Sequence, residues 1–136
     1  MRRRVTWGAA VLLGLSLAGI PSAANAEPSG CSHNAPKFWT TTVSQYGNNR
    51  AYMHAEGTGV CSSDATRSFR VEIKQDMNAR PDPVTSSATD SHYGFGYKAR
   101  TDTCDNWNNA TYYGRSFFTS SPTYKDSSHY LLDTCE

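Results

Sequence analysis

Polar and apolar residues alternate along this chain with a period of two, and nowhere is a helical repeat sustained. Residues 37–46 (KFWTTTVSQY) put Trp39, Thr41 and Val43 on one face, as a half-buried strand does. Gly47-Asn48-Asn49 follows as a turn, and residues 50–57 (RAYMHAEG) return as the partner strand. The clearest strand is 68–75 (SFRVEIKQ), with Phe69, Val71 and Ile73 facing one way and Arg70, Glu72 and Lys74 the other. Residues 77–83 contain Pro81 and Pro83 and read as loop. A weak edge strand occupies 84–91, and residues 93–103 align Tyr93, Phe95, Tyr97, Ala99 and Thr101 on one face. An Asn/Asp-rich loop at 102–109 precedes strands at 110–120 and 128–135. Seven or so short strands between turn signals predict an all-β fold, a two-sheet immunoglobulin-like sandwich.

The start of the chain obeys a different logic. Arg2, Arg3 and Arg4 precede an apolar stretch over residues 5–20, Pro21 breaks it, and Ala24-Asn25-Ala26 forms an A-x-A site. This is the pattern of a cleaved signal peptide, residues 1–26, exporting a single secreted domain of residues 27–136. The apolar stretch falls short of the ~20 residues that a membrane span needs. Without the three arginines, ten basic side chains stand against twelve acidic ones. Such a balance leaves no positive footprint for nucleic acid or an anionic membrane.

The exported part holds only seven branched aliphatic residues, Val43, Val60, Val71, Ile73, Val84, Leu131 and Leu132, against fifteen aromatic ones. Aromatic rings must therefore supply most of the core, and tyrosine, whose hydroxyl tolerates water, is the expected surplus for the surface. The four cysteines, Cys31, Cys61, Cys104 and Cys135, read as two disulfides in an exported domain this small. Of three possible connectivities, Cys31–Cys61 with Cys104–Cys135 closes two loops of nearly equal length and ties each end of the domain. Each bridge would then contribute roughly 3–4 kcal/mol.

Candidate chemistry is sparse. Tyr52, His54 and Glu56 share a strand face, so His54 and Glu56 could act as an acid–base pair with Arg100, Arg115, His92 or His129 nearby. No G-x-S-x-G elbow accompanies the many serines. No C-x-x-C pair suggests zinc, and Asp102, Asp105, Asn106 and Asn108 lack calcium-loop spacing and read as turn formers. No metal or cofactor is expected. Asn109-Ala110-Thr111 matches a glycosylation acceptor and is read as an accident of composition.

Recognition by aromatic side chains is the better supported expectation. Trp107 lies in a polar loop just after Cys104, and Tyr97, Tyr112 and Tyr113, with Tyr93, lie on strands whose faces cannot all be core. In texture, the segment CSSDATRSFRVEIKQD at 61–76, Pro81-Asp82-Pro83 and TYYGRSFFTSSP at 111–122 resemble small secreted actinobacterial β-domain proteins. Among these, the chain is similar to the adaptor subunits of umbrella toxin particles, which link a lectin-like subunit to the stalk of a large toxin. The resemblance implies a protein–protein role. The reading is thus a non-enzymatic secreted binding module for another extracellular protein, an adaptor in a toxin-type assembly or an inhibitor, with Trp107, Tyr97, Tyr112 and Tyr113 as its binding residues. The alternatives are a carbohydrate-binding module using those aromatics, and a small secreted nuclease or hydrolase using His54 and Glu56.

Overall fold

A computed structural model describes residues 27–120 and 123–136, so the signal peptide expected at 1–26 lies outside the described residues. Seven strands follow one another: β1 Cys31–His33, β2 Lys37–Gln45, β3 Asn48–Gln75, β4 Val84–Thr103, β5 Asn109–Phe118, β6 Lys125–Asp126 and β7 Tyr130–Asp133. The described residues contain no helix. The all-β expectation therefore holds, but the division into two sheets does not. All seven strands belong to one hydrogen-bonded sheet, curled into a half-barrel.

The reason is the length of two strands. Residues 50–57 and 68–75, expected as separate strands, are the two arms of the 28-residue β3, and 84–91 and 93–103 likewise merge into the 20-residue β4. One flank of β3 pairs with β4 from Met53 to Lys74. The other takes β2, then β1, then β5 in succession. Beyond β5 lie β6 and β7, and the residue after β7 returns to the start of β3 through a bridge between Thr134 and Ala51.

The curl is centred on a break in register. Val60 pairs with Gly96 and Ala65 with Gly94, so residues 61–64 of β3 oppose only Phe95 of β4. A bulge of this kind bends a ribbon sharply. Cys61 sits in it, joined by a disulfide to Cys31 directly opposite on β1. The second bridge, Cys104–Cys135, ties the end of β4 to the chain terminus. Both are the pairings favoured by loop length.

Folded at the bend, the two arms of β3 face each other across the core. Met53, Ala55 and Cys61 on one arm meet Phe69, Val71 and Ile73 on the other, joined by Tyr97, Ala99, Tyr112 and Phe118. Gly57 and Gly59 make that approach possible. A methyl at Gly57 would stand 2.8 Å from Val71 Cγ2, and one at Gly59 would stand 2.7 Å from Phe118 Cζ. The core is aromatic, as the composition demands, with Val71 and Ile73 the fully buried branched aliphatics, while Val60, Val84 and Leu131 are exposed.

His33 locks the short β1 to β5. Its Nε2–H donates to the carbonyl of Ser116 at 3.0 Å, and its ring meets Phe69 and Phe118 edge-on. Burial holds its pKa below the ordinary histidine value, and it outweighs the opposing pull of Glu27, whose carboxylate lies 2.7 Å from Nδ1. The unfolded chain thus binds a proton more readily at this site, and the contribution of this group to stability falls as pH drops through the histidine range.

Two outcomes test this account. Gly59→Ala should cost about 1–3 kcal/mol by overpacking. Gly96→Ala, whose added methyl meets nothing within 4 Å, should stay within about 0.5 kcal/mol of the parent in the same denaturant titration. Separately, the loss of stability between pH 7.5 and pH 5 should be smaller in His33→Gln than in the parent. An identical pH dependence in the two would refute the role assigned to His33.

Candidate functional site

The outward face of β2, β3 and β4 carries a cluster of polar and aromatic side chains. Register places Trp39, His54 and Asp102 in one row across the three strands. His54 Nδ1 is hydrogen-bonded to Asp102 Oδ1, and His54 Nε2 lies 2.8 Å from Thr41 Oγ1. Because a carboxylate only accepts, Nδ1 carries a proton, and in the neutral imidazole Nε2 then accepts from the threonine hydroxyl. Trp39 stacks on the imidazole at 5.1 Å, and Tyr52 meets it edge-on at 4.7 Å. His54 is buried while Thr41 is exposed.

Cations close this row from two sides. Arg100 donates through Nε to both oxygens of Asp102 and lies over Trp39, as does Lys37. Burial works to raise the Asp102 pKa, but the hydrogen bonds from His54 and Arg100 and the charge of Arg100 outweigh it and keep the carboxyl below the ordinary aspartate value. Glu56 is on the same face yet pairs with Lys98 Nζ at 3.1 Å. The expected His54–Glu56 pair is therefore not formed, and Asp102 is the carboxylate that histidine uses. Sequence spacing could not reveal this, since Asp102 reaches His54 only through the β3–β4 register, 48 residues away.

Of the four tyrosines expected to supply an exposed surface, Tyr93 is exposed and the other three are not. Tyr97, Tyr112 and Tyr113 are all buried. With so few aliphatics their rings are needed inside, and each hydroxyl finds an acceptor at the core's edge. Tyr112 donates to Asp105 and Tyr113 to Asp82. Burial, followed by the adjacent carboxylate, drives both phenol pKa values well above the usual range. The Tyr97 hydroxyl is shared between the carbonyls of Gly94, at 2.8 Å, and Ala65, at 2.9 Å.

Trp107 is half-buried rather than free. Its loop is pinned where the amides of Asp105 and Trp107 both donate to the Cys135 carbonyl. Arg50 lies over its ring at 4.9 Å, and Tyr46 tilts against it at 5.7 Å. Among Trp107, Tyr97, Tyr112 and Tyr113, then, three are core and one is partly covered, so they form no stacking platform for a sugar. The exposed large apolar side chains lie elsewhere. Val60, Tyr93 and Phe95 flank the register break of β3 and β4, Tyr46 projects from the β2–β3 turn, and Val84, Tyr124, Tyr130 and Leu131 are exposed elsewhere. Among the described residues there is no pocket and no convergence of three metal-ligating side chains. Asp105 serves its own turn, accepting from Asn108 as well as Tyr112.

No family model, curated protein or solved structure matches the chain. The functional reading therefore rests on the geometry of these surfaces.

Trp107→Ala should keep the fold and lower stability by about 1–2 kcal/mol, less than the loss of a fully buried tryptophan. A chemical denaturation curve checks this, and a variant that does not fold would place Trp107 in the core.

Proposed function

We propose that residues 27–136 form a secreted protein-binding module, which holds another extracellular protein as the adaptor of a toxin-type assembly or as an inhibitor. One observation carries this reading. At the β3–β4 bend three large apolar side chains stand in water, Val60 at 53%, Phe95 at 59% and Tyr93 at 70% exposure. Register places all three within a few residues of the break between β3 and β4, and large apolar side chains left in water mark a candidate interaction site.

The bend is also stiff. The Cys31–Cys61 disulfide crosses it on one side, and the shared hydroxyl of Tyr97 fastens the two strands beneath Phe95. Anchors held in place before binding lose little entropy on association. Tyr97 thus supports the site without touching the partner. The two disulfides agree with an oxidising compartment outside the cell, and the absence of a charge surplus agrees with a partner recognised through apolar contact.

The test is capture from the producing organism's culture fluid with tagged residues 27–136. A stoichiometric protein should stay bound through moderate salt. The double variant Tyr93→Ala, Phe95→Ala should lose at least tenfold in affinity, the scale of a single interface anchor, while Tyr46→Ala binds as the parent does. Full capture by the double variant would move the interface away from the bend. A bait that returns with nothing bound would end the binding reading.

A further inference from the structure

Of the side-chain clusters outside the bend, the row on β2, β3 and β4 is the one whose atoms are ordered for chemistry. We propose that Thr41 is an activated hydroxyl that accepts acyl groups from activated esters, with His54 as its base and Asp102 as the positioning residue. The inference is independent of the bend and uses none of its side chains.

The order of hydrogen bonds carries it. Asp102 fixes the proton on Nδ1 of His54, so the lone pair of Nε2 points at the Thr41 hydroxyl at 2.8 Å. Carboxylate, imidazole and hydroxyl in this sequence are the parts by which a weak oxygen nucleophile is activated. The three groups sit on three adjacent strands of one sheet, which gives the array little freedom to relax. Burial also divides the labour suitably. His54 is held between Trp39 and Tyr52 and is 5% exposed, while Thr41 is open to solvent. A dry base beside a wet hydroxyl allows an ester to approach the nucleophile without water competing for Nε2.

The step balances without any further reactant. Thr41 Oγ attacks the ester carbonyl carbon as its proton passes to His54 Nε2. The bond from that carbon to the leaving phenolate breaks, and the phenolate takes the proton from Nε2. The products are a Thr41 ester and a free phenol, and Asp102 stays ionised throughout, stabilising the transient imidazolium. The threonine methyl shields the new ester from water, so a single acyl group per chain is expected rather than rapid turnover.

The experiment uses residues 27–136 and p-nitrophenyl acetate near neutral pH. The expected result is a fast phase of one equivalent of nitrophenolate above the slow background from lysines, with the acetyl group of that phase mapped by peptide mass spectrometry to Thr41. Thr41→Val, an isosteric change at an exposed position, should abolish that label. Asp102→Asn should slow it about 100-fold or more, and Asp102→Glu should restore much of the rate. Acetylation of surface lysines in the same samples should not change, which separates loss of activation from loss of fold. Should Asp102→Asn fail to fold, the mapped position in the parent protein and the Thr41→Val result decide the matter. Acetyl groups found on lysines, histidines or the amino terminus but not on Thr41 would overturn the proposal. So would labelling of Thr41 at the parent rate in a folded Asp102→Asn.

Discussion

The close approach of the two arms of β3 is the contact on which the rest of this structure depends. Gly57 and Gly59 on one arm lie against Val71, Phe69 and Phe118 on the other side of the core, with no room for a side chain between. Only that proximity lets one sheet enclose its own interior, because the chain has too few aliphatic residues to fill a wider gap. A larger residue at either glycine would wedge the arms apart and expose the aromatic core, since an interior this closely packed has no void to absorb it. The bulge at 61–64 and the Cys31–Cys61 bridge follow from the same need. They set the angle at which the arms meet.

Much of this was legible in the chain. Period-two alternation gave the strand segments, and Phe69, Val71 and Ile73 are core residues as their spacing predicts. Loop lengths favoured the observed disulfides. The continuity of β3 was not legible. Between Gly57 and Ser68 the run TGVCSSDATR loses its alternation, because the ribbon bends there and its inner and outer faces no longer follow a simple count. A lapse in periodicity looks the same whether the chain leaves the sheet or bends within it. Two arms of one strand therefore read as two strands, and one curled sheet as two layers.

The tyrosines show a second limit of the same kind. Tyr97, Tyr112 and Tyr113 sit on well-formed strands, and nothing in their local sequence marks them as buried. The hydroxyls of Tyr113 and Tyr112 depend on acceptors brought by loops, Asp82 from the loop before β4 and Asp105 from the loop after it, and that of Tyr97 on the carbonyls of Ala65 and Gly94. A buried hydroxyl without such a partner would carry a desolvation cost of about 1–3 kcal/mol, so ring and carboxylate must arrive together. Composition correctly demanded an aromatic core. It could not say which rings would find acceptors, and so could not separate the buried Tyr97, Tyr112 and Tyr113 from the exposed Tyr93.

Register joins the two surfaces of this protein. The β3–β4 pairing that opposes Val60 to Gly96 at the bend also opposes His54 to Asp102 and Glu56 to Arg100 nearer the ribbon's end. Between these points Gly57, Gly59, Ala99 and Thr101 face inward and the charged residues face out. A slip of one residue would set His54 against Thr101 or Thr103 and turn Asp102 and Arg100 toward the core. The cost of burying that charge, added to the loss of the glycine contact, excludes the slipped pairing. The register that seats the two glycines against the core thus also sets which carboxylate His54 meets, and with it the Asp102–His54–Thr41 row.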